Sequence, residues 1–468
     1  MRPFRAPFVH KLLLLAASLL ACACNLDNLG DPPPEADIYL PTGLAISAQT
    51  LDSPPRYLYV VNSNYDLRYN GGSIQAFDLE RLNEAVGRCR EPDASCVIPT
   101  RDILADEVLV SSLATSLGIS PDHKRLYVAT RTDTRLMFVD LDEEAERDED
   151  VLKCAESERR CGANYSRGND AVASEKRLRI PAEPVGLVSF PAASVYAQPD
   201  AALDGMRFVL IAHRSGQVSL FFDDGTNRPE TGKNAGGPQL IDVRAGLSLE
   251  PTGITFDPMS RLAYLSVFAR TVIPPRPNKV LIRIGLSPEV DPSQVFAYDA
   301  GDLNIDGTSL QRDTRAVTMN PALPGQALVL SYTPPALVWT DVAGSLNGSF
   351  PANSGPVRNS LPLGMGPSRI ALGQLGSRSI AAVSCFDSHE VFIVDVARAE
   401  LLTVIHNING PFELAIDSAR KRLYVADFRS SVVRVMDLGY VAEPGVGNRT
   451  DVPVIATLGS PKVVQELQ

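Results

Sequence analysis

Tryptophan occurs once and histidine five times in this 468-residue chain, and basic residues are outnumbered, 44 Lys and Arg against 55 Asp and Glu. The resulting net charge of −11 repels phosphate backbones, which excludes a nucleic-acid binder. Several catalytic signatures are also missing. There is no G-x-S-x-G, no C-x-x-C, no C-x-x-C-H and no H-E-x-x-H, since His389-Glu390 lacks its second histidine. Serine hydrolase, dithiol redox, c-type haem and zincin chemistry therefore lose their usual handles. What is present is a chain 44% hydrophobic and 21% charged, with 33 glycines and 36 prolines. Such a composition buries a large core, and the length allows one big all-β domain or a few smaller ones.

The N-terminus carries Arg2, Arg5 and Lys11, then an apolar run from Leu12 to Ala21 that ends at Cys22. The run falls well short of the roughly 20 residues that cross a bilayer, so it reads as an export signal over residues 1–21. Leu19-Leu20-Ala21-Cys22 resembles the bacterial lipobox, which implies a diacylglyceryl thioether on Cys22 and two or three acyl chains in a membrane. Cys24 is the alternative acceptor. Residues 22–36 are polar and proline-rich, as a spacer would be, and 37–468 form the folded domain. Neither cysteine is followed by aspartate, which by resemblance to enteric sorting points to the outer rather than the inner membrane of a bacterial envelope.

Export makes disulfides expected. Cys89 with Cys96 and Cys154 with Cys161 share a six-residue gap inside polar stretches and read as local staples of surface loops, free thiols being the alternative. Cys385 lies in an apolar run and reads as a buried thiol.

The rest of the chain repeats a phrase. Its clearest copy is Gly410-Pro411-Phe412-Glu413-Leu414-Ala415-Ile416-Asp417, then Arg422-Leu423-Tyr424-Val425-Ala426-Asp427, then Val432-Val433-Arg434-Val435-Met436-Asp437-Leu438. Each part alternates or is β-branched and is bounded by turn residues, so each predicts a strand. Further copies place one apolar residue at Leu44, Leu117, Leu187, Ile254, Val317, Ile370 and Leu414. The phrase resembles the YVTN-type β-propeller repeat over about residues 41–459, which implies an all-β, seven-bladed β-propeller of four-stranded antiparallel blades. Val452–Gly459 completes either the last blade or the first.

In such a blade the turns after the second and fourth strands share one face, and the inserts at about 80–106, 142–176 and 222–238 project from the other. The acidic block 142–150 reads as a short solvated helix. The second strand ends in Asn62, Thr130, His213, Val267, Tyr332, Cys385 and Asp427, so these side chains or their neighbours should gather at one mouth of the axis. His213, Cys385 and Asp427 are eligible transition-metal ligands there, and local capping or packing is the alternative. Asp302, Asn304, Asp306, Thr308 and Asp313 bracket Gly307 at the spacing of a Ca²⁺ loop, although flanking helices and a terminal glutamate are missing and an ordinary polar turn fits as well.

The function expected from these readings is a lipid-anchored envelope module that binds or scaffolds a protein partner or small ligand, with no catalytic residue named. The alternative is a metal-assisted hydrolase. Propellers that resemble lactonases act at the axial mouth, which would implicate Asn62, His213 and Asp427.

Overall fold

The computed structural model describes residues 30–462, apart from 50–52, 90–95, 158, 170–175, 227–235, 245–249, 269–278, 307–312, 343–353 and 443–451. Among these residues the repeated phrase folds into seven consecutive four-stranded antiparallel meanders. The apolar positions of each phrase bury both faces of its sheet, so each sheet needs a neighbour on either side. The inner strands are Pro41–Ile46, Ala114–Ile119, Pro184–Pro191, Glu250–Asp257, Thr314–Met319, Pro367–Leu375 and Pro411–Asp417. Each inner strand contacts the next, and the seventh contacts the first, so the sheets close into a ring around an axis. The fold is a β-propeller, and the sheets are called blades 1 to 7 below.

The second strands are the most buried: Tyr57–Asn62, Arg125–Thr130, Arg207–His213 and Gln326–Ser331 are buried at every residue. The core consists of blade-to-blade layers rather than one central cluster, as in the layer that joins Leu58 and Val60 of blade 1 to Tyr424 and Ala426 of blade 7. Glycine in the P-x-G phrase follows from the closeness of the inner strands. A Cβ on Gly43 would meet Leu117 Cβ of blade 2 at 2.8 Å, and one on Gly186 would meet Gly253 Cα of blade 4 at 3.2 Å.

Val454–Leu458 pairs antiparallel with Val432–Asp437, so it is the fourth strand of blade 7. Val97–Ile98, from the insert of blade 1, adds to its outer edge in parallel. On the inner side, Leu40 N donates to Ser431 Oγ at 3.2 Å and Ser63 Oγ donates to Leu40 O at 2.9 Å. Blades 1 and 7 are thus clasped at both radii. The outer strands of blades 4 and 5, Phe296–Asp306 and Ser354–Pro362, also meet edge to edge in parallel.

The long inserts lie between third and fourth strands, as expected. In blade 1 the insert opens with a helix, Leu79–Gly87, whose N-cap Asp78 accepts from Glu80 N and Arg81 N. The Cys89–Cys96 disulfide follows it. The Cys154–Cys161 disulfide closes a small hairpin in the insert of blade 2, and Arg160–Cys161 lies parallel to Leu104–Val110, covering the outer edge of blade 1. The acidic block is not a solvated helix. Asp142 to Glu146 form a turn, and Glu143 packs against blade 1 with its carboxylate accepting from Tyr59 Oη at 3.4 Å; only Asp148–Asp150 is helical, as one 3₁₀ turn. Tyr59 of blade 1 offers Glu143 a partner that water would otherwise supply, which local charge density did not reveal.

Blades 2 and 3 are joined by a buried ionic network. Arg125 donates to Asp140 Oδ1 through Nε at 2.6 Å and to both oxygens of Asp223 through Nη1 at 2.7 and 2.8 Å. Tyr127 Oη also donates to Asp223, and Arg207 bridges Asp223 and Asp122. Arg125 is 1% exposed and Asp223 fully buried.

Candidate functional site at the axial mouth

Every blade enters its inner strand through the same device. The register slips once, between the first strand residue and the third or fourth, leaving a bulge. The bulged residues are Thr42, Thr115, Val185, Thr252, Arg315, Ser368 and Phe412, and all seven line one cavity of about 440 Å³ on the axis. A bulge turns a side chain that would otherwise lie between blades toward the axis. Three of the hydroxyls also stitch the ring: Thr42 Oγ1 donates to Ala114 O at 2.9 Å, Thr115 Oγ1 to Pro184 O at 2.8 Å and Thr252 Oγ1 to Thr314 O at 2.7 Å, each to the next blade.

The second strand contributes its residues by alternation. The position opposite the residue just before each bulge is Asn62, Thr130, His213, Val267, Ser331, Cys385 and Asp427. These side chains point between blades, and in blades 2 to 6 the residue after each lines the cavity: Arg131, Arg214, Phe268, Tyr332 and Phe386. Its backbone N–H is tied back to the residue before the inner strand, as in Arg131 N to Leu113 O at 3.0 Å and Phe386 N to Gly366 O at 2.8 Å. The equivalent of Asn62 in blade 5 is therefore Ser331, and Tyr332 belongs to the mouth.

The other named residues have their own partners. Asn62 Nδ2 donates to Ser73 Oγ and Gln75 Oε1, both at 3.0 Å. His213, fully buried, lies with Nε2 2.8 Å from Ser219 Oγ, and burial pushes its imidazole down to about 4, partly opposed by the carbonyls of Ala182 and Pro181. Asp427 accepts from Arg434 Nε at 3.0 Å; burial raises its carboxyl and Arg434 counters the rise. Thr130 Oγ1 reaches Arg135 O at 3.4 Å. Cys385 is a buried free thiol, pushed up to about 12 by its burial. Asn62, His213 and Asp427 thus sit in three different blades without a shared centre. No group of three or more His, Cys, Asp or Glu placed to hold a metal ion occurs among the described residues.

The Ca²⁺ spacing is not realised as a loop over its first half. Asp302, Asn304 and Asp306 belong to the extended strand Phe296–Asp306, paired with Lys279–Ser287. Alternate positions of a strand stand about 6.6 Å apart along its axis, whereas a cation needs its oxygens to converge. Asp313 instead pairs with Arg315 at 2.9 Å. Thr308 falls outside the described residues, as do Cys22 and Cys24.

The mouth has two chemically distinct halves. Blades 2 and 3 present Arg131, held by Glu183 at 2.9 Å, and Arg214, held by Glu250 at 3.6 Å. Blades 4 to 7 present aromatic rings with guanidiniums laid over them: Arg315 is 5.1 Å from the Phe268 centroid and 4.5 Å from that of Tyr332, and Arg369 is 4.9 Å from that of Phe412. Phe386, Phe412 and Phe428 pack as one cluster that Tyr65 extends into blade 1. Of the residues named from the sequence Tyr332 itself lines the mouth, and for Thr130, His213, Val267 and Cys385 it is the following neighbour that does; the bulged residues were missed. The signal for them was the residue after the Pro, Ala or Thr that opens each repeat; that opening is a full P-x-G in blades 1, 3 and 4.

No protein-family model matches the chain, nor does any curated protein. Solved structures do. Hydrazine synthase of Kuenenia stuttgartiensis is similar with a TM-score of 0.52 at 13% identity, over 86% of this chain and 96% of that one. The β-propeller domain of Myceliophteria thermophila Swd1 is similar at 0.48 and 11%, over 84% and 95%. The periplasmic gluconolactonase PpgL of Pseudomonas aeruginosa is similar at 0.47 and 12%, over 78% and 84%. At such identities the likeness concerns architecture alone; the closed ring of sheets described above makes the chain a β-propeller.

Proposed function

We propose that the chain is a binding module whose axial mouth recognises a carboxylate carried on an apolar or aromatic body. The observation that carries this reading is the division of the mouth, with Arg131 and Arg214 on one side and the rings of Phe268, Tyr332, Phe386 and Phe412 on the other. A guanidinium fork matches a carboxylate in two parallel hydrogen bonds, and an incoming carboxylate exchanges with Glu183 or Glu250. The opposite wall buries the ligand's apolar part. The test is calorimetric titration with N-acetylphenylalanine and with its amide. The amide is expected to bind about tenfold more weakly, and Arg131→Ala with Arg214→Ala to erase that difference. Equal binding of acid and amide to the unaltered protein defeats the reading.

The same proposal places the chain in a bacterial envelope, anchored through Cys22 and belonging to the YVTN-type repeat proteins. The lipobox-like Leu19-Leu20-Ala21-Cys22 and the P-x-G and L-Y-V phrases support it. Residues 30–40 lead into blade 1, and Asn70 N, in the connection between its second and third strands, donates to Asp31 O at 2.9 Å, so the described chain begins on the side of the mouth. Cys22→Ser is expected to abolish incorporation of an alkyne-tagged fatty acid and to release the protein from membranes. Label that persists in Cys22→Ser and disappears in Cys24→Ser moves the attachment, and label absent from the unaltered protein ends the anchor reading.

A further inference from the structure

A second cavity, of about 450 Å³, lies on the face opposite the mouth, between blades 3 and 4. One wall is the connection between the first and second strands of blade 3, which carries the 3₁₀ turns Ala192–Val195 and Ala201–Leu203. The other is the segment Pro288–Pro292, between the third and fourth strands of blade 4. The floor is apolar, made by Leu203, Met206 and Phe222, and Phe222 packs on Phe208 with centroids 5.6 Å apart.

The rim has one sign of charge. Asp200, Glu289 and Asp291 all line the cavity, and none has a cationic partner among the described residues. Each uses one carboxylate oxygen locally: Asp200 accepts from Ala202 N at 3.0 Å, Glu289 from Ser287 Oγ at 3.2 Å and Asp291 from Ser293 N at 2.9 Å. Those bonds fix the carboxylates in place and leave a second oxygen on each. The ring of Tyr196 also lines the cavity.

We propose that this cavity binds a small organic cation, an ammonium group carried on an apolar body. Negative ring faces from Tyr196 and Phe222 and three fixed carboxylates attract the ammonium, while the apolar floor takes the body. An anion meets only repulsion here, and a neutral apolar molecule leaves the carboxylates without a counter-charge.

The probe is 2-phenylethylammonium, titrated calorimetrically against the intact protein, with 2-phenylethanol and 3-phenylpropionate as comparators. One saturable site is expected for the ammonium, about tenfold weaker binding for the alcohol, and for the propionate only the binding at the axial mouth that Arg131→Ala with Arg214→Ala removes. Glu289→Gln with Asp291→Asn is expected to bring the ammonium down to the alcohol, and the asparagine keeps the cap on Ser293. Ala202→Trp, at an exposed position of the wall, fills the cavity and is expected to remove binding without loss of the fold. It decides the matter if the carboxamide variant fails to fold. Absence of saturable ammonium binding, equal binding of the alcohol, or binding that survives both variants overturns the proposal.

Discussion

Asp223→Ala is expected to destabilise the protein by about 3–5 kcal/mol, because removal of one member of a buried ion-paired set leaves the others uncompensated. Asp223 is fully buried and receives both Arg125 and Tyr127 of blade 2 as well as Arg207 of blade 3. Without it, the carboxylate left to Arg125 is Asp140 and that left to Arg207 is Asp122, so two guanidiniums share less negative charge at the blade interface. Equilibrium urea unfolding measures the loss. Replacing Arg125, Asp140 and Asp223 together by apolar residues is expected to cost less than Asp223→Ala, since Arg207 then keeps Asp122 and no member of the set is left as an unpaired buried charge. A loss below about 1 kcal/mol in Asp223→Ala, the size of an exposed pair, would falsify the view that this network holds blades 2 and 3 together.

Acid is expected to loosen the propeller through His213. Its imidazole is pushed from the ordinary 6.5 down to about 4 by burial. As pH falls from 6.5 toward 4, the unfolded chain takes up a proton that the folded chain refuses, so equilibrium shifts toward unfolding. The stabilising contribution of neutral His213 is complete above 6.5 and gone below about 4. Its size over that window is about 3 kcal/mol. Asp106, raised by burial to about 6, acts in the opposite direction, because its folded carboxyl holds a proton that the unfolded one releases. Comparison with His213→Gln isolates the histidine. The variant's stability is expected to depend less steeply on pH between 6.5 and 4, and parallel profiles would remove His213 from the account.

The sheet architecture was legible because period-two alternation and turn residues are local signals, and a phrase repeated seven times reinforces them. The direction of the inserts followed from strand order, and the short gap in each cysteine pair was enough to foretell both staples. The mouth was only half legible. The end of the second strand could be found, but alternation makes a one-residue error into a change of face, which is why His213 is buried while Arg214 lines the cavity. The polar run from Asp302 to Asp306 looked like a turn because aspartate and asparagine favour turns, yet pairing with Lys279–Ser287 overrode that preference. The Arg125–Asp223 contact had no local signature at all, because its members are 98 residues apart and meet only after two blades have formed.

The seven bulged residues separate chemistry from scaffold. Each stands out of the ladder that holds its sheet, and the seven range from valine and serine to arginine and phenylalanine with no change in the surrounding strands. Selectivity can therefore be rewritten by single-codon edits at Val185, Arg315, Ser368 and Phe412, while the load on the architecture stays with the ladders and with the three threonines that bond the next blade.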